Sequence, residues 1–410
     1  SAGIDEIDFK SIYVSDEFIR EVFVGAQPDE NWGVLHSYLE HLENTPIGQV
    51  EELLNDDGFA EYLFNTMQNF VEQRRKGTVQ TDYDLGRILA ALAMGEIDDH
   101  VLDPCCGVGN LLSACYDLKA EHMDHSSVCK TLHGIEIDTL QANITSFKLA
   151  LKQPSKINVE NEIDITSSNL FYKSQTIKKA DTILMNPPFK RYEEQDDYPL
   201  PMKVKDSIKK SFVASFGQTS TTAVGQSNLY YFYVEFVIRS ARIGARLGFI
   251  LDNKWLHNSY GKPLREFILQ NCIIETIIEY PSKSFFEGAI VSTTVVILEK
   301  SEKIPDSQKV KFIRSTNDPR ETDLSEIISL TKDDQILEIP GWTVSRIAQD
   351  DLIPGVGWKP NFAPSKAISL LNEFPLLLDF FDDCRRGSLQ KEETAKIVTF
   401  PFRDWNKRGT

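Results

Sequence analysis

Two short stretches carry residue types able to do chemistry. Asn186, Pro187, Pro188 and Phe189 follow directly on an apolar run, residues 182–185. Proline fixes φ and removes a backbone donor, so this tetrapeptide is stiff and its carbonyls are left to accept hydrogen bonds. An isolated Pro-Pro reads most simply as a strand stopping at a turn; the sharper reading is a rigid polar clamp with an aromatic lid. The second stretch, VLDPCCGVGN at 101–110, reads as a strand end, a glycine-rich turn and the start of a helix, LLSACYDL. Glycines there let the backbone approach a ligand, and the helix N-terminus offers free amides. A carboxylate about 20 to 30 positions on strengthens such a loop, because it can hold the hydroxyls of a ribose. Glu136, in HGIEID, stands in that place, although Glu136 and Asp138 are also readable as ordinary loop polarity.

These residues need a scaffold that brings distant segments to one edge. Short apolar runs at 100–104, 133–137, 181–185, 246–251, 273–280 and 292–300 alternate with helical stretches. Such alternation predicts an α/β fold, a mostly parallel sheet with helices on both faces. In a doubly wound sheet the glycine loop, the acid and the NPPF segment all fall at the carboxyl edge, in one crevice. The last two runs predict an antiparallel pair at one edge of the sheet. Ser227 is placed to cap an aromatic-rich helix, NLYYFYVEFVIRSAR. The polar segment between Lys190 and Gln226 is long for a connection and reads as a mobile functional loop.

Composition bounds the rest. A chain of 410 residues suggests two or three domains, and 41% hydrophobic with 26% charged residues is ordinary for a globular protein with a real core. No apolar run reaches the roughly 18 residues a membrane span needs, and the acidic start SAGIDEIDFK is unlike a signal peptide. The six cysteines, at 105, 106, 115, 129, 272 and 384, show no C-x-x-C spacing. Free thiols in a cytoplasmic protein without a metal site are expected. The net charge of −17 argues at first against a nucleic-acid partner. However, residues 1–70 hold fifteen Asp/Glu against two Lys/Arg, so most of the acidity belongs to one end, and basic clusters occur elsewhere, as at Arg74-Arg75-Lys76. Residues 1–75 read as helices, with a start signal at Asn44-Thr45-Pro46.

DPCCGVG followed by NPPF resembles the motif pair of the adenine-N6 DNA methyltransferases. GTVQTDYDLGRILAALA, at 77–93, is similar to the segment that precedes the glycine loop in that family, with Thr81-Asp82 where the family carries Thr-Pro. LGFILDNKWLHNSYGKPLREFIL and SFFEGAIVSTTVVILEK are similar to its later strands, so the resemblance covers about residues 76–300 and has the gamma-class motif order. It implies a Rossmann-like, S-adenosylmethionine-dependent methyltransferase sheet over 76–300, preceded by a helical region (1–75). It further implies a C-terminal extension (301–410) leading into a possible, incomplete target-recognition domain, whose opening FPLLLDFFDDCRRGSLQ resembles. The implied partners are double-stranded DNA and, where the reader lies on another chain, a specificity subunit or restriction partner. The implied setting is restriction-modification or phage defence.

The resemblance also implies roles. Asp103, Pro104, Cys105, Gly107 and Gly109 would shape the cofactor pocket, with Thr81 near the methionine carboxylate, Glu136 on the ribose and Ile137 on the adenine. Asn169, in SSNLF, is the best-spaced residue to read that adenine's amino group, in place of the usual acid. The exocyclic nitrogen of a target adenine is a poor nucleophile because its lone pair is conjugated with the ring. The Asn186 side-chain oxygen and the Pro187 carbonyl could each accept one of its N–H bonds, with Pro188 stiffening the turn. Phe189 would stack on the flipped-out base. Phe286 resembles a second aromatic wall and is also readable as core. Two rivals share this chemistry, a protein methyltransferase acting on glutamine and an RNA adenine methyltransferase; a subunit that has lost activity is a third reading.

Overall fold

The computed structural model describes residues 81–152, 163–189, 202–223, 228–280, 292–315, 322–332 and 340–363. All of them belong to one unit, Ser1–Ser365, and a second unit, Lys366–Thr410, lies outside the described residues. So do the region 1–75, Ser227, Phe286 and the FPLLLDFFDDCRRGSLQ segment.

Among the described residues nine strands form one sheet: β1 (Val101–Asp103), β2 (Leu132–Glu136), β3 (Asp164–Ser167), β4 (Thr182–Met185), β5 (Arg246–Asp252), β6 (Cys272–Tyr280), β7 (Thr293–Lys300), β8 (Lys309–Ser315) and β9 (Trp342–Ala348). Their order is β3-β2-β1-β4-β5-β7-β6-β8-β9. The first five are parallel, whereas β7 runs antiparallel to both of its neighbours. All six apolar runs appear as strands, because a strand covered on both faces must be apolar along its length. β4 is buried at every position. β3, an edge strand with exposed Asp164 and Ser167, lacks that signal.

Around the sheet lie α1 (Tyr83–Ala93), α2 (Asn110–Ala120), α3 (His125–Lys130), α4 (Thr139–Leu151), α5 (Ser174–Lys179), α6 (Met202–Phe216), α7 (Tyr230–Ser240), α8 (Lys262–Asn271) and α9 (Leu324–Lys332). One core packs Ile183, Leu247 and Phe249 against Ile177 of α5, Phe236 of α7 and Ile268 of α8. The other packs Leu184 and Ile250 against Leu89 of α1, Leu112 of α2 and Ile327 of α9. Helix α1 starts at Asp82, whose side chain accepts the Leu85 N–H at 3.1 Å. It buries Leu85, Ile88, Leu89 and Leu92, one helical stripe. At its far end Arg246 donates to the carbonyls of Ala93 (2.6 Å) and Leu92 (3.1 Å) while pairing with Glu275 (2.7 and 2.9 Å). A cation on the last carbonyls of a helix is where the helix dipole favours it.

Three expectations need correction. The segment after Lys190 is not all loop: α6 occupies 202–216. Its signal is a narrow stripe, Ile208 and Phe212, which is buried among Phe171, Phe232 and Phe236. Burial of each such side chain contributes roughly 1.5–3 kcal/mol, enough to hold a helix whose other faces are polar. The β6–β7 pair is antiparallel as expected but internal, since β8 pairs in parallel with β6 and β9 closes the sheet beyond it. The sheet therefore continues past residue 300, the boundary read from the sequence, to Ala348.

Candidate active site

The chain turns back on itself between β1 and β4. Strands β2 and β3 lie on one side of β1, and β4 on the other. A reversal of this kind opens a crevice at the carboxyl ends of the strands, and the glycine loop and the NPPF segment flank it.

The glycine-loop corner is tied together by its own side chains. Gly107 (φ 56°) and Gly109 (φ 82°) take left-handed conformations that other residues adopt at a cost. A Cβ on Gly109 would lie 2.7 Å from Cγ2 of Thr145, a buried residue whose hydroxyl donates to the Gly107 carbonyl at 2.7 Å. Asp103 ends β1 and accepts the Cys105 N–H at 3.1 Å. Burial pushes its carboxyl up to about 8, opposed by that N–H and reinforced by Glu136. Glu136 ends β2 and accepts from Gly107 N–H and Asp138 N–H, each at 2.9 Å. Burial raises its carboxyl too, against the pull of those amides. Ile137, the next residue, is 68% exposed, an apolar side chain left open at this edge. Asn169 follows β3 and accepts the Phe171 N–H at 3.0 Å, capping a short 3-10 turn. That leaves its amide N–H group and a second lone pair for a ligand.

The clamp corner is different. Asn186 follows β4, and its Nδ2 donates to Thr81 Oγ1 at 3.0 Å. Its Oδ1 is buried and has no hydrogen-bond partner among the described residues. Pro187 is buried, whereas Pro188 and Phe189 are half-buried. The Phe189 ring meets Tyr230 edge-on, with centroids 6.0 Å apart. Tyr230 is itself anchored, its hydroxyl donating to Asp252 at 3.0 Å, and Asn228 donates to the other Asp252 oxygen at 2.9 Å. The two corners touch where the Cys105 thiol approaches the Asn186 carbonyl at 3.5 Å.

The structure thus places Thr81, Asp103, Pro104, Cys105, Gly107, Gly109, Glu136, Ile137, Asn169 and Asn186–Phe189 along the carboxyl edges of β1 to β4 and on the segment preceding α1. Residues that pattern reading passed over join them. Asn110, first in α2, donates to the Thr81 carbonyl at 2.7 Å. Gln141 is buried, and its Nε2 has no partner among the described residues beside the glycine loop. Asn110 stands directly after the GVG turn, a place the motif could have flagged, but Gln141, Tyr230 and Asp252 carry no local signal. Among the described residues no group of three or more His, Cys, Asp or Glu could hold a metal ion, and no helix is long and apolar enough to cross a membrane.

A glycine cradle, a strand-end carboxylate, an open apolar side chain and a buried unmet donor fit a nucleoside-bearing cofactor. With the inverted β7 and the NPPF segment, they define a Rossmann-like methyltransferase. The chain belongs to the N-6 DNA methylase family, whose model matches residues 55–343. It is 21% identical over 257 residues to the type I restriction enzyme MjaVIII methylase subunit of Methanocaldococcus jannaschii, covering 62% of this chain and 42% of that protein. It is 25% identical over 313 residues to the type II restriction enzyme and methyltransferase RM.BcgI of Heyndrickxia coagulans, covering 72% and 44%. The chain thus spans less than half the length of these curated relatives. Among solved structures it resembles the type IIG restriction endonuclease BpuSI, with a TM-score of 0.62 at 21% identity, covering 74% of this chain and 35% of that one. At that identity the likeness speaks for the fold.

Proposed function

We propose that this chain carries the catalytic domain of a restriction-modification methyltransferase, methylating the N6 amino group of adenine in double-stranded DNA. The observation that carries the reading is Asn186 Oδ1, a buried acceptor at the end of β4 with no partner among the described residues, whose amide is held from behind by Thr81. Buried polar atoms in native folds are nearly always paired, so an exception beside a ligand crevice points to a partner that arrives with the substrate.

In this reading S-adenosylmethionine supplies, when bound, an electrophilic methyl group on a sulfonium. Gly107 and Gly109 allow its close approach, Asp103, Pro104 and Cys105 shape the pocket floor, and Gln141 offers a donor. Glu136 presents its remaining lone pairs to the ribose, Ile137 packs on the adenine, and Asn169 reads that ring's polar edge. On the clamp side, Asn186 Oδ1 and the Pro187 carbonyl accept the two N–H bonds of the target amine. That draws the nitrogen towards tetrahedral geometry and frees its lone pair. The acceptors act where positive charge develops, so they favour the transition state over the ground state. Pro188 keeps both acceptors in place, and Phe189, braced by Tyr230, stacks on the flipped base. The Phe286 wall belongs to the same proposal. The nitrogen formally becomes cationic and loses its proton to water, so the chemistry calls for neither a metal nor a dedicated base.

The chain's partners in this reading are DNA and a specificity or restriction component that supplies sequence recognition, in the cytoplasm. The test is transfer of labelled methyl to mixed-sequence DNA, with Asn186→Ala alongside. Label on N6 of adenine that vanishes in the variant supports reaction and clamp together. Cofactor binding without transfer points to a missing recognition partner, and label on protein or RNA to the rival substrates. A chain that neither transfers methyl nor binds the cofactor would overturn the reading.

A further inference from the structure

Thr81 stands one residue before the cap of α1, on the segment the resemblance assigns to the cofactor's methionine end. Its contacts point elsewhere. Its hydroxyl accepts from Asn186 Nδ2 at 3.0 Å, and its carbonyl accepts from Asn110 Nδ2 at 2.7 Å. Asn110 is buried, and its own oxygen accepts from the buried Lys148 at 2.9 Å. A continuous hydrogen-bonded line therefore runs from Lys148 on α4 through the first residue of α2 and Thr81 to the clamp. Its second member, Asn110, directly follows Gly109 in the chain. The segment beyond Thr81 is held as well, since Arg246 ties down the far end of α1.

We infer that Thr81 is a positioning residue for methyl transfer, pinning the plane of the Asn186 amide so that Oδ1 faces the incoming amine. A primary amide can present either its oxygen or its NH₂ to a substrate. An amine offering two N–H bonds is matched by the oxygen alone, and the amide stands in that orientation, its Nδ2 donating to the Thr81 hydroxyl. Without the Thr81 hydroxyl the amide turns freely about its last side-chain torsion, which is broad and roughly two-fold. The Asn110 and Lys148 links hold the hydroxyl where the amide needs it. Because Asn110 directly follows the glycine loop, the clamp and the cofactor corner are then parts of one hydrogen-bonded assembly.

The inference rests on the proposed reaction, and its test separates the two. Thr81→Val keeps the volume and removes the hydroxyl, and Thr81→Ser restores it. In single turnover, Thr81→Val transfers methyl about tenfold more slowly, the scale of one lost hydrogen bond or a slightly misplaced group, and Thr81→Ser recovers most of the rate. Affinity for S-adenosylmethionine by calorimetry stays within about threefold of the parent, less than the rate loss by the same reckoning. A second readout needs no reaction. In the ligand-free protein, the side-chain NH₂ resonances of Asn186, identified by their loss in Asn186→Ala, move in Thr81→Val and return in Thr81→Ser. Unmoved resonances, an unchanged rate, or a loss confined to cofactor affinity would overturn the inference. If the parent protein neither transfers methyl to DNA nor binds S-adenosylmethionine, the reaction proposal fails, while the resonances still decide what Thr81 holds.

Discussion

The two corners of the crevice differ in how they are finished. In the glycine-loop corner the acceptors are engaged from within: Asp103 takes an N–H from Cys105, Glu136 takes two from Gly107 and Asp138, and Asn169 takes one from Phe171. In the clamp corner Asn186 Oδ1 is buried with nothing to accept from among the described residues. One corner is a preformed shape that a ligand can join through spare lone pairs and open surface. The other holds an unmet acceptor, a state that costs about 1–3 kcal/mol until a donor arrives. In the proposed reading this is a division of labour: shape would recognise the cofactor, and the unsatisfied acceptor would be reserved for the group that reacts.

That contrast can be broken experimentally, the largest effect first. Asn186→Ala should slow single-turnover transfer by about 100- to 1,000-fold, the scale of losing one hydrogen-bonding group aimed at transition-state charge, with cofactor affinity by calorimetry nearly unchanged. A parallel loss of cofactor affinity would show that the corners are not separate. Gly109→Ala should act on the other corner. Its left-handed φ of 82° and a Cβ only 2.7 Å from Thr145 Cγ2 demand a shift of a buried, bonded residue. Denaturant titration should read a loss of about 1–3 kcal/mol, together with weaker cofactor binding; undiminished stability would mean that the loop is not preformed. Phe189→Ala should lower the efficiency of transfer to DNA by the equivalent of about 1–3 kcal/mol, the worth of one base stack, and leave cofactor affinity alone.

The last effect concerns pH. Burial lifts Asp103 from its ordinary 3.8 to about 8. Between those values the folded chain holds a proton that the unfolded chain has released, so this group makes stability fall as pH rises through that window. Asp103→Asn should flatten the trend in chemical denaturation of the ligand-free protein between pH 4 and 8. A slope equal to that of the parent would place the charge elsewhere.

Much of this was legible in order along the chain. The six apolar runs became strands because burial on both faces demands continuous apolar sequence, and they landed within a residue or two of the expected bounds. Two of the three strands that escaped notice escape the rule. β3 is an exposed polar edge, and β8 alternates Lys309, Lys311 and Arg314 with buried Val310, Phe312 and Ile313. Helix α6 hid for a similar reason, since only Ile208 and Phe212 mark its inner face amid lysines and serines.

By itself, the sequence determined the residue types that do chemistry and the strand ends that carry them: a glycine turn after β1, an acid after β2, a stiff Asn-Pro-Pro-Phe after β4. These are local properties, written in backbone freedom, backbone rigidity and periodicity. The tertiary structure alone decided which atoms remain to meet a ligand. That Glu136 turns one oxygen to Gly107, that Thr81 backs Asn186, and that Oδ1 is left without a donor among the described residues depend on hydrogen bonds between residues 29 to 105 positions apart. Pairings at that range have no local signature, because they are set by the packing of whole strands and helices against one another.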